Sequence, residues 1–206
     1  MRMRVSQKEG DKNVKQSHKA GITAQQSEYI RYSTKHCWVK MVDENIVRIG
    51  LEPMLASVLT SPKAIVLPTI GATVRHGEYC CWIILEDGTF PISSPTEGIV
   101  VAANAQVADQ PYELNFHPLK CGWLFEVQSS VNVLSALRLM KQSEAEEYFS
   151  KDLARFNTLV AGALKRHNSS VGLTMADGGQ RMQNVSLMLG AKQYFELVRE
   201  VFGEKH

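Results

Sequence analysis

The sequence has little of what marks a membrane protein, a secreted protein or a nucleic-acid-binding protein. Its formal net charge is +2 over 206 residues, which is too close to neutral to predict nucleic acid or an anionic membrane as a partner. No apolar run reaches the roughly 20 residues that cross a bilayer, and the polar start lacks the apolar core of a secretion signal. We therefore expect a cytoplasmic protein that binds neither membranes nor nucleic acid.

Paired cysteine motifs are also missing. The four cysteines, Cys37, Cys80, Cys81 and Cys121, show neither Cys-x-x-Cys spacing nor a dense disulfide framework. Neighbouring residues on a strand point to opposite faces, so a disulfide between Cys80 and Cys81 would need a distorted backbone. We expect reduced thiols that pack in the interior. The alternative is a redox switch formed by Cys80 and Cys81.

The first part of the chain, residues 1–28, is polar and has no periodic apolar face. Lysines are spaced among Ser, Gln, Gly and Asn, a composition typical of a flexible tail. A mitochondrial transit peptide is the alternative, but lysine outnumbers arginine, and Glu9 and Asp11 are residues that such peptides avoid.

Residues 32–127 show short strand-like runs separated by turn signals, which predicts a compact all-β unit. The turns carry Asp, Asn, Gly or Pro, the residues that chain reversal favours. A short helix is predicted at 52–59, because apolar residues recur there at helical spacing after Pro53. The predicted strands lie at 38–41, 46–49, 64–67, 81–85 and 98–102.

Beyond Gln128 the apolar period becomes helical. One apolar face is predicted from Val133 to Met140, and Ser143 to Glu146 has the form of a capping box that opens a longer helix. Further stripes from Met182 to Phe202 predict a helical pair around Gly190. Such stripes usually form core. A surface for a partner protein is the alternative.

The strand and turn order of the β region resembles the H protein of the glycine cleavage system in specific residues. That family opens on a Tyr followed by a His-x-Trp-Val segment, which is similar to Tyr32, His36 and Trp38–Val39. The family's Val-x-x-Gly strand resembles residues 47–50. Its segment ending in Leu-Pro-x-x-Gly resembles residues 65–71.

The resemblance continues after the next hairpin. The family's Ser-Pro-x-x-Gly-x-Val strand is similar to residues 94–104, and its later Asn and Gly-Trp-Leu positions resemble Asn115 and residues 122–124. The resemblance covers about residues 32–150. It implies a mainly β barrel-sandwich hybrid of the lipoyl-carrier type with a short inserted helix. The domains expected are a tail at 1–28, the carrier-like unit at 29–150 and a C-terminal α-helical extension at 151–206.

The lipoyl-bearing lysine of the family stands seven residues before the Ser of Ser-Pro, at a hairpin tip, and that position corresponds to Asp87. A lipoyl amide forms only on an amine. No lysine occurs from residue 64 to residue 119, so no small change of register restores one. The resemblance therefore implies a vacated lipoyl position at Asp87, flanked by Glu86 and Gly88, and no bound lipoate. The segment is read either as a remade recognition tip or as a plain Asp-Gly turn.

Catalytic and metal-binding patterns are not found. His36, His76 and His117 are dispersed, without the i, i+4 pair or the cysteine partners of a metal site. No Ser/His/Asp arrangement or phosphate-binding loop can be assembled. We therefore expect no catalytic residue and no metal, and we expect His36, which matches a family position, to be a hydrogen-bonded structural residue.

The favoured hypothesis is a non-enzymatic, H-like protein that acts as a protein-binding scaffold or regulator. Its expected partners are proteins, the glycine-cleavage and lipoate-related enzymes among them. The alternatives are an H-type carrier that uses an unconventional attachment site and a redox protein that uses Cys80 and Cys81. Fold alone does not decide among them.

Overall fold

The computed structural model describes residues 30–129, 137–167 and 185–203. Strands dominate the first range, and all their pairings are antiparallel. The strands are β1 (Ile30–Tyr32), β2 (Cys37–Asp43), β3 (Ile46–Leu51), β4 (Ala64–Val66), β5 (Thr73–Val74), β6 (Tyr79–Leu85), β7 (Gly88–Ser93), β8 (Gly98–Ala103) and β9 (Trp123–Gln128).

Two sheets result. One has the strand order β1-β2-β3-β9-β8-β5, and the other has the order β4-β6-β7. The helices are α1 (Pro53–Val58), α2 (Ala105–Asp109), α3 (Glu113–Phe116), α4 (Gln142–His167) and α5 (Ala191–Phe202), and residues 185–189 are also helical. None of the described helices is both long enough and apolar enough to cross a membrane.

The predicted fold class is confirmed: two antiparallel sheets pack with a short inserted helix and C-terminal helices, as in a barrel-sandwich hybrid. The six-stranded sheet does not close, because β1 and β5 are its edges within the described residues. The inserted helix α1 begins where predicted. Glu52 caps it, since its carboxylate accepts hydrogen bonds from the backbone N–H groups of Met54 and Leu55 at 2.8 and 3.0 Å.

Several family-like residues hold elements together. Trp38 lies opposite Gly50 across β2 and β3, and a Cβ atom on Gly50 would stand 2.5 Å from the indole ring. Glycine is therefore required there by close packing. The indole N–H of Trp38 donates to the Pro118 carbonyl at 3.1 Å. Asn104 caps α2 and also donates to the carbonyls of Cys121 and Trp123, each at 2.7 Å.

The predicted helical face from Val133 to Met140 is wrong where the structure describes it, at Leu137 and Met140. Residues 130–136 lie outside the described ranges, and neither Leu137 nor Met140 belongs to a helix. Met140 instead exchanges two backbone hydrogen bonds with Tyr32, at 2.8 and 2.9 Å. The edge strand β1 therefore takes up the backbone groups that a helix would have used.

The capping box was placed two residues late. Helix α4 begins at Gln142, and Glu144 accepts a hydrogen bond from the backbone N–H of Lys141 at 2.8 Å. Glu146, the predicted box acid, pairs with the side chain of Gln142 instead. The residue before the helix is therefore Lys141 and not Ser143. Lysine has no hydroxyl to accept from the backbone, so only the acidic half of the box forms, from Glu144 to the N–H of Lys141.

The C-terminal stripes pack into the core, as the commoner interpretation predicted. Phe156, Val160, Leu189 and Val198 join the same buried cluster as the β unit. Gly190, with a φ of +78°, separates the helical segment 185–189 from α5. The expected boundary at 150/151 lies inside the continuous helix α4. Met182 and the polar tail at 1–28 lie outside the described residues.

Candidate functional site

The hairpin of β6 and β7 carries the vacated lipoyl position predicted from the sequence. Leu85 pairs with Gly88, so Glu86 and Asp87 form a two-residue turn. Both side chains are exposed. The tip of the hairpin therefore presents two adjacent carboxylates to solvent, which can attract a cation or accept hydrogen bonds but cannot form an amide with an acyl group.

Helix α5 packs directly against this hairpin. A Cβ atom on Gly88 would stand 1.9 Å from Cε1 of Phe195 and 2.5 Å from its Cζ. The φ of Gly88 lies outside the left-handed region, so glycine is required here by the closeness of the ring and not by backbone conformation. The sequence predicted a turn glycine at this position and gave no sign of the helix that covers it.

Tyr194 fixes α5 to the inserted helix. Its hydroxyl donates to the Val58 carbonyl at 2.9 Å, and its ring meets Phe156 edge to face at 5.8 Å. The side chain is 3% exposed, and burial raises the pKa of Tyr194 well above its usual value. The hydroxyl therefore stays protonated and remains a hydrogen-bond donor. The C-terminal extension is thus tied to the carrier-like unit close to the hairpin tip.

Two concave surfaces flank the tip. One, a cavity of about 200 Å³, has an apolar lining from Leu85, Leu187, Ala191, Tyr194 and Phe195 and also contacts Glu86 and Asp87. Leu187 is 82% exposed. We use the name tip cavity for this cavity.

The second concavity is wider, about 620 Å³, and shares Glu86 and Asp87 with the tip cavity. Its other side is formed by the first turns of α5, including Lys192 and Glu196. Lys192 is exposed. Sequence reasoning missed this lysine because it lies more than a hundred residues from the hairpin in the chain, and no local pattern links the two.

The adjacent cysteines are not displayed as a reactive pair. Cys80 is 9% exposed and Cys81 is fully buried. The pairing register shifts between Tyr79 and Cys81, and this irregularity lets two neighbouring residues of one strand both face inward. All four cysteines are free thiols.

Burial also makes these thiols weak acids. It raises the pKa of Cys80 to about 12 and raises that of Cys81 well above its usual value, with the neighbouring Cys80 and Cys37 adding to the effect at Cys81. The thiolate is the form that reacts in disulfide exchange. Packing thiols agree with this geometry, and the redox hypothesis stays an untested prediction.

His36 is a buried residue at the junction of the β unit and the extension. It adopts a φ of +57° and stacks on Phe149 with ring centroids 4.3 Å apart. Its Nδ1 lies 3.5 Å from Glu52 and its Nε2 lies 3.4 Å from Asp152. A hydrogen-bonded residue was expected: the backbone carbonyl of His36 accepts a hydrogen bond from the Glu52 N–H at 2.8 Å, whereas Nδ1 makes no hydrogen bond within the described part of the chain. Stacking on Phe149 and the edge contact with Phe202, with ring centroids 5.4 Å apart, pack the imidazole in place.

The other histidines are separate from this junction, and no metal cluster forms among the described residues. His117 contacts Glu113 at 2.7 Å, and His76 is exposed on a turn. No group of three or more His, Cys, Asp or Glu side chains within the described ranges could hold a metal ion. The described polar groups that line the concavities at the tip include Glu86, Asp87 and Lys192.

Comparisons with known proteins agree with the fold. A sequence model described as "Glycine cleavage H-protein" matches residues 30–152. The glycine cleavage system H protein of Streptomyces avermitilis is 33% identical over 99 residues, which is 48% of this chain and 79% of that protein. A glycine cleavage system H-like protein of Chlamydia muridarum is 29% identical over 99 residues, covering 48% of this chain and 85% of that protein.

A solved structure supports the architecture. The crystal structure of a glycine cleavage system H protein from Mycobacterium marinum superposes with a TM-score of 0.52 at 24% identity. The superposed region covers 60% of this chain and 96% of the Mycobacterium marinum chain. The match to the family ends at residue 152, so the later part of α4 and all of α5 lie beyond it. With the motif residues of both sheets in place, the chain belongs to the glycine cleavage H-protein family.

Proposed function

We propose that this chain is a non-enzymatic H-like protein that binds other proteins through its hairpin tip and carries no lipoyl group. The observation that supports this proposal is the tip itself: Glu86 and Asp87 stand at the turn, and Phe195 of α5 packs on the neighbouring Gly88. A carrier arm needs an amine at the tip and free space around it. Here the amine is replaced by carboxylates, and a helix occupies one side.

The sequence around the hairpin supports the loss of the acceptor. The 56 residues from Ala64 to Leu119 include no lysine, so the position is not restored by a neighbouring residue of the same hairpin. The fold nevertheless remains intact: the family-like residues Trp38 and Asn104 are buried, and their side chains donate hydrogen bonds to backbone carbonyls. The fold is kept although the acceptor at the tip is not. This combination favours protein binding over carriage of a lipoyl group as the function of the chain.

The expected partners are proteins. The named relatives are a glycine cleavage system H protein and a glycine cleavage system H-like protein. We propose that this chain docks on proteins of that system or on lipoate-related enzymes, as a scaffold or a regulator. No step of a reaction is assigned to its own side chains.

A second candidate function is a carrier with an unconventional attachment site. Lys192 favours it, because this exposed lysine lines the same concavity as Glu86 and Asp87. A lysine on α5 would offer an amine close to the position where the family has one, although on a helix instead of a hairpin turn.

Intact-protein mass separates the two candidates. The full chain and its Lys192→Arg variant are each expressed with a lipoate ligase and lipoate, beside an H protein that is modified in the same cells. The proposal expects no lipoyl increment on either form. An increment on the unchanged chain that disappears in the Lys192→Arg variant would establish the carrier at Lys192. An increment on both forms would reject the proposal and place the site on another lysine.

A further inference from the structure

The tip cavity combines apolar side chains with two carboxylates, and Thr60, Ser61 and Ser186 add hydroxyl groups to its lining. Leu85, Ala191 and Phe195 contribute hydrocarbon, whereas Glu86 and Asp87 contribute carboxylates. Among the described residues that line the cavity, none carries a positive charge. Lys192 lines only the neighbouring concavity that shares Glu86 and Asp87. On the tip-cavity side the two carboxylates therefore have no cationic neighbour among the described residues, and a charge from a partner can complement them there.

The shape and charge together indicate the kind of side chain that fits. Lysine and arginine have a hydrocarbon stem that packs on apolar surface and a cationic head that remains near water or a carboxylate. A cavity of about 200 Å³ accepts one such side chain. A purely apolar side chain would leave the carboxylates unused, and an acidic one would be repelled by them.

The exposed Leu187 is a second feature of the cavity lining. Leu187 is 82% exposed, so among the described residues this apolar side chain is largely uncovered where it lines the same cavity as Glu86 and Asp87. Apolar contacts at the centre and charged groups at the rim are the usual anatomy of a protein-binding patch. A basic side chain flanked by apolar residues on a partner would contact Leu187 and both carboxylates at once.

We propose that the tip cavity receives a lysine or arginine side chain of a partner protein, with Glu86 and Asp87 pairing with its cationic head. This inference rests on the proposed function, because it specifies what the protein-binding tip recognises. The two can fail separately: a lipoyl increment contradicts the proposed function, whereas the absence of a cation preference contradicts only the chemistry of the cavity.

The test uses the full chain and three capped pentapeptides that differ at the central residue alone: lysine, Nε-acetyl-lysine or glutamate, each flanked by alanine and glycine. Binding is followed by nuclear magnetic resonance through the backbone amide signals of Glu86, Asp87 and Gly88. We expect the lysine peptide to bind at least about threefold more tightly than the acetyl-lysine peptide, which keeps the stem but loses the charge, and the glutamate peptide to bind least. The preference should shrink at 1 M salt, where the Debye length is about 3 Å.

Matched variants locate the effect. In the double variant Glu86→Gln/Asp87→Asn, the lysine peptide should lose its advantage over the acetyl-lysine peptide. The control double variant, Asp43→Asn/Glu44→Gln, removes the same charge from another exposed hairpin turn and should keep the advantage. Equal binding of the three peptides, shifts located away from the tip, or the same loss in both double variants would overturn the inference.

Discussion

The contact between Gly88 and Phe195 gives the sharpest test of how the extension packs on the hairpin. Replacing Gly88 with alanine would place a Cβ atom 1.9 Å from Cε1 of the Phe195 ring. Three atoms of the ring lie within 2.6 Å of that position, so the ring has to move as a body. Overpacking of this kind costs about 1–3 kcal/mol of unfolding free energy.

The sign of this effect should reverse when the ring is removed. Phe195→Ala alone should cost about 3 kcal/mol, near the lower end for a buried phenylalanine, because part of the ring faces the tip cavity. In that background Gly88→Ala meets no ring. Alanine in a strand is then about 0.5–1 kcal/mol more favourable than glycine. The double variant should therefore be as stable as Phe195→Ala or slightly more stable.

Urea unfolding followed by tryptophan fluorescence measures this cycle, and Trp82 on β6 reports from the same hairpin. The control is Gly162→Ala in α4, where the added Cβ has no atom within 4 Å. It should stabilise the protein by about 0.5–1 kcal/mol with or without the Phe195 ring. If Gly88→Ala costs the same free energy in both backgrounds, α5 does not pack on the hairpin as described.

Four further predictions concern individual polar and thiol groups of the structure. Tyr194→Phe should lower the unfolding free energy by about 1–3 kcal/mol in urea titrations, because the Val58 carbonyl loses its donor in the interior. Cys121 is half-buried and should react with a thiol reagent before Cys80, which should react only on unfolding. Early labelling of Cys80 in a Cys121→Ser variant would instead support the redox hypothesis. The pKa of Cys80 is about 12 in the folded protein and 9.0 for an unperturbed thiol, so the unfolded state loses this proton first. The unfolding free energy should therefore fall as the pH rises from about 9 to 12. The fall should be smaller in Cys80→Ala. His36→Asn should cost less than His36→Val in thermal unfolding, since asparagine tolerates the left-handed φ of +57° and a β-branched residue does not.

Much of the fold could be predicted because its signals are local. The turn at Glu86–Asp87 and the helix after Glu52 follow from residues within a few positions of each other, so periodicity and turn chemistry located them. The start of α4 was misplaced by two residues because the prediction relied on the hydroxyl of Ser143, whereas the helix begins directly after Lys141 and uses Glu144 alone to satisfy a backbone N–H. The region around Met140 was misread because its backbone partner is Tyr32, more than a hundred residues away, and period alone does not reveal such a partner.

The sequence by itself determined the family-like motifs and the absence of lysine from residue 64 to residue 119. These are properties of the covalent chain and need no coordinates. Only the tertiary structure decided what surrounds the hairpin tip: Phe195 against Gly88, and Lys192 and Leu187 beside two carboxylates. The physical reason is that packing of α5 depends on side chains distant in sequence, whose contacts arise when apolar surface is buried and leave no periodic trace in either segment.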